Sequence, residues 1–158
     1  MRLLEFWLEF WALDSGLGPG RRYLVTTMLP PMSHLDTVRQ MLACFSAGDA
    51  QGQLDHCADD VVYEAPYYSI ERHGKAELAA MLASVQERFD EVSYVVVDDF
   101  PTVDPDLVIV EVRGDNRVRG SEQRYQNHYI MFLYFRDDLV VRWREFSNPD
   151  VYRTAVPT

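Results

Sequence analysis

The clearest candidate for chemistry in this sequence is Glu145, an acidic residue in a stretch that alternates between apolar and polar side chains. Because alternate residues of a β-strand share a face, Glu145 shares one face with Trp143 and Ser147. Arg142 and Arg144 occupy the opposite face, and arginine is rarely buried without a partner, so the Glu145 face is predicted to point inward. A carboxylate in a walled pocket loses hydration, which raises its pKa and lets it exchange a proton near neutral pH. The alternative is an exposed Glu145 that pairs with an arginine.

The preceding stretch, predicted as a strand over residues 123–135, carries groups that can bind a ligand oxygen. One of its faces presents Tyr125, Asn127, Tyr129 and Met131. Phenol and amide groups both donate and accept hydrogen bonds. The sequence therefore predicts that these side chains line a small-molecule site together with Trp143 and Ser147.

Three tyrosines lie close together earlier in the chain, at positions 63, 67 and 68. Tyr63 is expected to face the pocket, and Tyr67 and Tyr68 are expected to form its rim. Each is more often a packing residue than a recognition residue, but together they favour a flat ligand that contains a ring.

Other reactive residue types have simpler explanations. His56 and Cys57 are adjacent at a predicted helix end, so their side chains point in different directions and core packing is the expected role. The acidic pairs at 59–60 and 98–99 lie at strand ends, where turn chemistry explains them. Cys44 and Cys57 lack the spacing of a metal site or a disulfide framework.

The composition narrows the possible partners. The chain has 158 residues, is 47% hydrophobic and 13% aromatic, and carries a net charge of −10 with a pI near 4.7. Nucleic acids and anionic membranes are bound by clustered Lys and Arg, so neither is expected here. No run of about 18 uncharged apolar residues is present to span a bilayer. We therefore expect an acidic, soluble, cytoplasmic domain.

Apolar spacing predicts helices first and strands afterwards. The apolar residues from Leu35 to Phe45 are spaced by three and four, which is typical of one helix face, and Ser33 or Asp36 can cap that helix. Helices are predicted from Ser33 to Gly48, over 50–56 and over 75–89; strands over 59–66, 92–99, 107–113, 123–135 and 139–146; and turns at 101–105, 114–116 and 136–138.

Helices followed by strands that short turns connect indicate an α+β fold. Hairpin-linked strands form a curved, mainly antiparallel sheet, and the N-terminal helices must cover one of its faces. The sheet and helices can then enclose a conical pocket. We predict that this domain occupies residues 32–158.

The first 31 residues have a different pattern. Phe6, Trp7, Phe10 and Trp11 recur at helical spacing, and a Gly- and Pro-rich stretch follows at 15–20. We interpret residues 1–31 as an N-terminal extension that can form a helix and that lies outside the core. The alternative is an ordered segment whose aromatic face packs on the domain or on a second subunit.

Several motifs resemble the PhzA/PhzB-like phenazine-biosynthesis proteins of the SnoaL-like, NTF2-like superfamily. The resemblance to PhzA/PhzB is carried by residues 127–130, the acidic turn at 137–138 and residues 144–149, Arg-Glu-Phe-Ser-Asn-Pro. Residues 58–63 and 74–78 are similar to superfamily signatures of the first strand and third helix. The resemblance covers residues 33 to about 155. It implies a homodimeric NTF2-like cone with a deep pocket, no metal or organic cofactor, and Glu145 as the acid/base residue.

Two positions depart from the patterns of related proteins. The PhzA/PhzB pattern has a histidine just after the glycine that Gly74 matches, whereas this sequence has Lys75 there and His73 just before the glycine. His73 is a candidate substitute; a loop histidine is more often simply solvated. The base aspartate of ketosteroid isomerase would fall on Ala65, which cannot accept a proton, so the steroid-isomerase mechanism is not expected.

The residues and the resemblance together predict an enzyme without a cofactor, of isomerase, cyclase or dehydratase type. Its substrate is expected to be a small aromatic or polyketide-like compound of secondary metabolism, with Glu145 moving the proton. The alternative is a non-catalytic small-molecule-binding or assembly protein with the same pocket, because a fold does not decide a function. A homodimer is expected for both functions.

Overall fold

A computed structural model describes residues 32–156; the extension predicted for residues 1–31 lies outside the described residues. The described part contains helices, a short 3₁₀ helix over Pro66–Tyr68 and one sheet. The helices are α1 (His34–Ser46), α2 (Ala50–Asp55), α3 (Gly74–Gln86) and α4 (Pro149–Ala155). The strands are β1 (Cys57–Ala65), β2 (Ile70–His73), β3 (Phe89–Glu91), β4 (Tyr94–Phe100), β5 (Leu107–Val118), β6 (Arg124–Arg136) and β7 (Leu139–Ser147).

Helix α1 begins where the sequence predicts it. Ser33 is the N-cap: its hydroxyl accepts a hydrogen bond from the backbone N–H of Asp36 at 3.1 Å, which satisfies one of the donors that a helix start leaves free. The buried face of α1 consists of Thr37, Val38, Met41, Leu42 and Phe45. The predicted face is therefore confirmed, and it packs into the single core of the domain.

The sheet has the order β2-β1-β7-β6-β5-β3, and β4 also pairs with β5. Every pairing is antiparallel except that of β1 with β7, where Tyr63 lies beside Trp143. The prediction of a mainly antiparallel sheet preceded by helices is confirmed. Within residues 32–156, no helix is both long and apolar enough to cross a membrane.

The two faces of the sheet differ as the period of two predicts. Along β6, the buried residues alternate from Tyr125 to Phe135, so that this face contributes to the core. On the opposite face, Arg142 donates hydrogen bonds to Glu64 at 2.5 and 3.1 Å, and Arg144 lies 3.3 Å from the same carboxylate. These ion pairs explain how the two arginines are accommodated outside the core.

The structure differs from the prediction at residues 114–116, which were expected to form a turn. They continue β5, and the turn lies further on, between Val118 and Arg124. Asn116 is fully buried: its Oδ1 accepts from the Ser93 N–H at 3.0 Å and its Nδ2 donates to the Tyr94 hydroxyl at 3.1 Å. These residue types are typical of turns, but here tertiary hydrogen bonds hold them in a strand.

Gly114 is required by close packing. A Cβ atom at this position would lie 2.8 Å from Cε2 of Tyr129 and 3.2 Å from Cε1 of Tyr94. Gly114→Ala is expected to lower the free energy of unfolding by about 1–3 kcal/mol, because both rings are packed and would have to move. Urea unfolding of the variant measures this loss.

The control for that prediction is a double-mutant cycle with Tyr129→Leu, which removes the ring that the new methyl group meets. The two losses should combine to less than their sum if the clash is their common cause. A Gly114→Ala loss below about 0.5 kcal/mol would contradict this explanation of the glycine.

Candidate active site

A cavity of about 750 Å³ lies against the inner face of the sheet. This volume is within the usual range of small-molecule sites. Its wall is mainly apolar and aromatic. Its lining includes Leu42, Phe45, Gln53, Tyr63, Ala65, Tyr68, Met81, Leu82, Phe89, Tyr94, Tyr125, Tyr129, Met131, Trp143, Glu145, Ser147 and Tyr152.

Glu145 enters this cavity from β7, where it pairs with Met131 of β6. Strand alternation places it on the same face as Trp143 and Ser147, as predicted. Glu145 keeps intermediate exposure, which we attribute to the cavity it lines. Burial raises the pKa of Glu145 from 4.5 to about 7, and the interaction with the Tyr63 side chain opposes that rise. The carboxyl group can therefore exist in both protonation states near neutral pH.

Tyr63 is the side chain whose interaction lowers the pKa of this carboxyl group. Its ring packs edge-on against Trp143, with centroids 5.2 Å apart. Burial raises the pKa of Tyr63 well above its usual value, and the Glu145 carboxylate raises it further. Tyr63 therefore stays protonated and can act as a hydrogen-bond donor beside Glu145.

A chain of tyrosine hydroxyls forms another part of the wall. The Tyr129 hydroxyl donates to the Tyr125 hydroxyl at 2.8 Å and lies 3.4 Å from that of Tyr94. Asn127 Nδ2 also donates to the Tyr125 hydroxyl, at 3.1 Å. Burial raises the pKa of Tyr94 to about 12 and that of Tyr129 further. These phenols remain neutral and supply polar contacts within an otherwise apolar cavity.

The carboxyl end of β7 joins the cavity to the 3₁₀ helix. The hydroxyls of Tyr68 and Ser147 lie 3.1 Å apart, and the Tyr68 hydroxyl also donates to the carbonyl of Asn148 at 3.4 Å. Apart from Glu145, the charged side chains of the lining lie on β2, on α3 and just after α3, and none of them is buried. We call this part of the lining, formed by Arg72, Glu77 and Arg88, the mouth.

Most of the predicted site residues come together in the cavity: Glu145, Tyr63, Tyr125, Tyr129, Met131, Trp143 and Ser147. Asn127 is buried but contributes indirectly, because its amide holds the Tyr125 hydroxyl and the Asn148 carbonyl. Asn127 therefore orients Tyr125 from behind the wall and does not itself line the cavity.

Besides Asn127, two further predicted residues lie away from the cavity lining. Tyr67 is 62% exposed and packs edge-on against Phe146, which lies on the opposite face of β7 from Glu145. The 3₁₀ helix turns Tyr67 outward, and its neighbour Tyr68 takes the inner position. His73 is exposed, and its Nε2 lies 2.7 Å from the Glu71 carboxylate. At the end of β2, it faces this surface acid rather than Glu145.

Gln53 and Tyr94 line the cavity although the sequence analysis did not select them. Tyr94 alternates with the exposed residues Val95 and Val97, so strand periodicity could have identified it. Gln53 lies on the six-residue helix α2, which is too short to reveal a face from sequence. Ala65, which the sequence analysis matches to the base aspartate of ketosteroid isomerase, also lines the cavity, where it presents a methyl group.

No group of three or more His, Cys, Asp or Glu side chains within residues 32–156 is arranged to hold a metal ion. Cys57 is fully buried, and burial raises the pKa of its thiol to about 12. A thiol with so high a pKa is a poor nucleophile near neutral pH. Glu145 lines the cavity with a pKa of about 7 and is therefore better suited to proton transfer than this thiol.

Comparison with known proteins places this geometry among related folds. The protein-family model of the SnoaL-like domain matches residues 38–143 of the sequence. An uncharacterised PhzA/B-like protein from Pseudomonas aeruginosa is 31% identical over 106 residues, which cover 65% of this chain and 74% of the relative.

Two solved structures are similar to this chain in fold. A proposed isomerase from Bacillus subtilis has a TM-score of 0.71 at 24% identity, covering 77% of this chain and 91% of that protein. A Catenulispora acidiphila protein with a ketosteroid isomerase-like fold, solved in complex with trimethylamine, has a TM-score of 0.68 at 12% identity. That match covers 77% of this chain and 92% of the other. The NTF2-like fold predicted from the sequence is confirmed.

Proposed function

This chain belongs to the SnoaL-like family and is PhzA/B-like, and from that premise we propose that it is an acid/base enzyme that needs no cofactor. The reaction would be of isomerase, cyclase or dehydratase type. The observation that carries the proposal is Glu145, a partly desolvated carboxyl group in the wall of an aromatic cavity, with a pKa of about 7. A group with a pKa near the working pH is the most effective general acid or base.

In this mechanism, the ionised Glu145 carboxylate removes a proton from a carbon atom next to a carbonyl group. The protonated carboxyl group then returns a proton to the same molecule at another atom. Tyr63 lies beside Glu145 and stays neutral, so its hydroxyl can donate a hydrogen bond to the oxygen on which negative charge develops. Trp143 and Met131 exclude water from the reacting atoms.

The wall of the cavity supports a substrate that contains one or more rings. Tyr63, Trp143, Phe89 and Tyr125 contribute flat apolar surfaces, and aromatic rings pack well against such surfaces. We propose an aromatic or polyketide-like metabolite of secondary metabolism.

Exchange of hydrogen for deuterium tests this function without the natural substrate. 2-Tetralone is a two-ring ketone that fits a cavity of this size, and its protons next to the carbonyl group are acidic. The protein is expected to accelerate the loss of those proton signals in deuterated buffer, followed by ¹H NMR. The rate is expected to rise with pH through an inflection near 7, as Glu145 ionises.

The alternative function, a non-catalytic binding or assembly protein, gives a different result in the same experiment. A binding protein would retain 2-tetralone in equilibrium dialysis but would leave its exchange rate at the value of the buffer. Binding without exchange at any pH from 5 to 9 would therefore favour the alternative.

We also propose that the chain forms a homodimer through the outer face of the sheet. Phe132 and Phe146 pack edge-on there at 5.9 Å, and the exposed Tyr67 extends the same apolar patch. Sedimentation velocity at micromolar concentration is expected to detect a dimer and, for Phe146→Asp, a monomer, because a buried unpaired charge is costly. A monomeric parent protein would contradict this proposal. The cytoplasmic location expected from the sequence remains a prediction.

A further inference from the structure

The cavity wall contains buried polar atoms that have no hydrogen-bond partner among residues 32–156. Gln53 is 1% exposed, and neither atom of its side-chain amide has a hydrogen-bond partner within residues 32–156. The indole Nε1 of Trp143, another residue of the wall, also lacks a partner in the described part of the chain. Unsatisfied buried polar groups are destabilising, and native proteins keep few of them.

These atoms belong to the most enclosed part of the wall, because Gln53 and Trp143 are 1% and 4% exposed whereas none of the mouth residues is buried. The Cys57 thiol donates to the backbone carbonyl of Gln53 at 3.9 Å, and Cys57 pairs with Val140 at the beginning of β7. Trp143 follows three residues later, and Glu145 lies two residues beyond it, a step of about 7 Å along the strand. We call the part of the wall formed by Gln53 and Trp143 the inner end.

The inner end is polar but carries no charge. The arginines of the cavity wall, Arg72 and Arg88, belong to the mouth, and Glu145 would repel an anion bound beside it. A primary amide offers both a donor and an acceptor, and an indole N–H offers a donor. A neutral hydroxyl group satisfies this set because it can donate to the Gln53 carbonyl oxygen and accept from an N–H group.

We propose that the inner end is a recognition site for a ring hydroxyl group, and that Gln53 is a specificity-determining residue that holds it. The substrate would then be a hydroxylated ring compound that has its reacting carbon beside Glu145 and that hydroxyl group at the inner end. The inference rests on the proposed function in taking the cavity as the substrate site. The amide atoms of Gln53 and Nε1 of Trp143 have almost no exposed surface. A side chain of the cavity wall therefore has to change rotamer so that the ligand can reach them.

Binding of two probes of equal size tests this recognition. 2-Naphthol and 2-methylnaphthalene differ only in a hydroxyl or methyl group, and equilibrium dialysis measures their dissociation constants. The protein is expected to prefer 2-naphthol, and Gln53→Met, which keeps the side-chain length, is expected to reduce that preference about tenfold. Trp143→Phe, which removes the indole N–H, should reduce it in the same direction.

Thermal unfolding without ligand gives a second readout, which a purely structural role would move in the opposite direction. Gln53→Met is expected to raise Tm by about 2–4 °C because it removes unsatisfied polar atoms from the interior. A glutamine that stabilises the fold would instead give a lower Tm on substitution. The matched control is Gln51→Met on the same helix, where the side chain is exposed and donates to Asp55.

The outcomes separate this inference from the proposed function. An unchanged preference in both Gln53→Met and Trp143→Phe, or a lower Tm in Gln53→Met, would overturn the recognition site even if exchange into 2-tetralone is catalysed. A preference lost in Gln53→Met but kept in Glu145→Gln would support the recognition site even if no exchange is found.

Discussion

Glu145→Gln is expected to slow deuterium exchange into 2-tetralone by about 10²–10⁴-fold, the contribution that a positioned general acid or base usually makes. Glutamine keeps the shape of the side chain and its hydrogen-bonding capacity, but it cannot take up a proton from carbon. The remaining exchange should also lose its inflection near pH 7, because the group that titrates there is gone. The measurement is the exchange rate constant by ¹H NMR from pH 5 to 9.

The matched control for this prediction is Glu122→Gln. Glu122 is exposed in the connection between β5 and β6 and makes no contact with the cavity, so its substitution should leave the rate and the pH profile unchanged. Retention of binding by Glu145→Gln would assign the loss to chemistry. A rate within about threefold of the parent protein, far inside the range expected for a catalytic base, would remove Glu145 from the mechanism.

The same substitution is expected to stabilise the protein above pH 7. An unfolded chain ionises Glu145 near its usual pKa of 4.5, whereas the folded protein ionises it near 7. Between these values the folded state holds a proton that the unfolded state has released, so the free energy of unfolding falls as pH rises. Over the interval from pH 4.5 to 7, the free energy of unfolding falls by about 3 kcal/mol, because each pH unit corresponds to ~1.4 kcal/mol.

Calorimetric unfolding of Glu145→Gln and the parent protein measures this difference. The gain in Tm of the variant should be near zero at pH 4.5, grow between pH 4.5 and 7, and stay constant above 7. Because the cavity hydrates part of the carboxyl group, about 3 kcal/mol is the upper limit. The same Tm difference at pH 4.5 and pH 8 would show that Glu145 is not held in a desolvated state, and Glu122→Gln should give no pH-dependent difference.

The elements of this fold that follow simple periodic patterns could be predicted from the sequence. Helix α1 has a cap and a regular apolar face, and strands β6 and β7 alternate clearly, so their inward faces were identified with Glu145 among them. This works because one buried face imposes one period on a whole element. The inward orientation of the Glu145 carboxyl group could therefore be predicted from the sequence alone.

Other features depend on contacts that a local pattern does not contain. Strands β2 and β3 have four and three residues, which is too short for a periodic signal. The residues at 114–116 have the composition of a turn, but Asn116 is held in β5 by hydrogen bonds to a distant segment. Helix α4 was overlooked although Asn148 and Pro149 are typical of a helix start.

The positions of Tyr67 and Gln53 could not have been obtained in this way either. Tyr67 and Tyr68 are adjacent, and only the 3₁₀ helix decides which of them points inward. Gln53 acquires its importance from being buried without a partner, a property of the assembled interior. Both cases concern a single side chain in a short element, where tertiary structure decides the orientation.

The parallel pairing of β1 with β7 determines when this cavity can exist during folding. Val62 can pair with Arg142 only after the whole intervening chain has been synthesised. Closing so long a loop costs entropy, which the contact offsets only once it has formed. Glu145 belongs to the later of the two partners. In a growing polypeptide, the β7 side of β1 therefore stays unpaired until the segment that carries Glu145 has been synthesised, and unpaired strand edges are the parts of incomplete folds that are prone to aggregation.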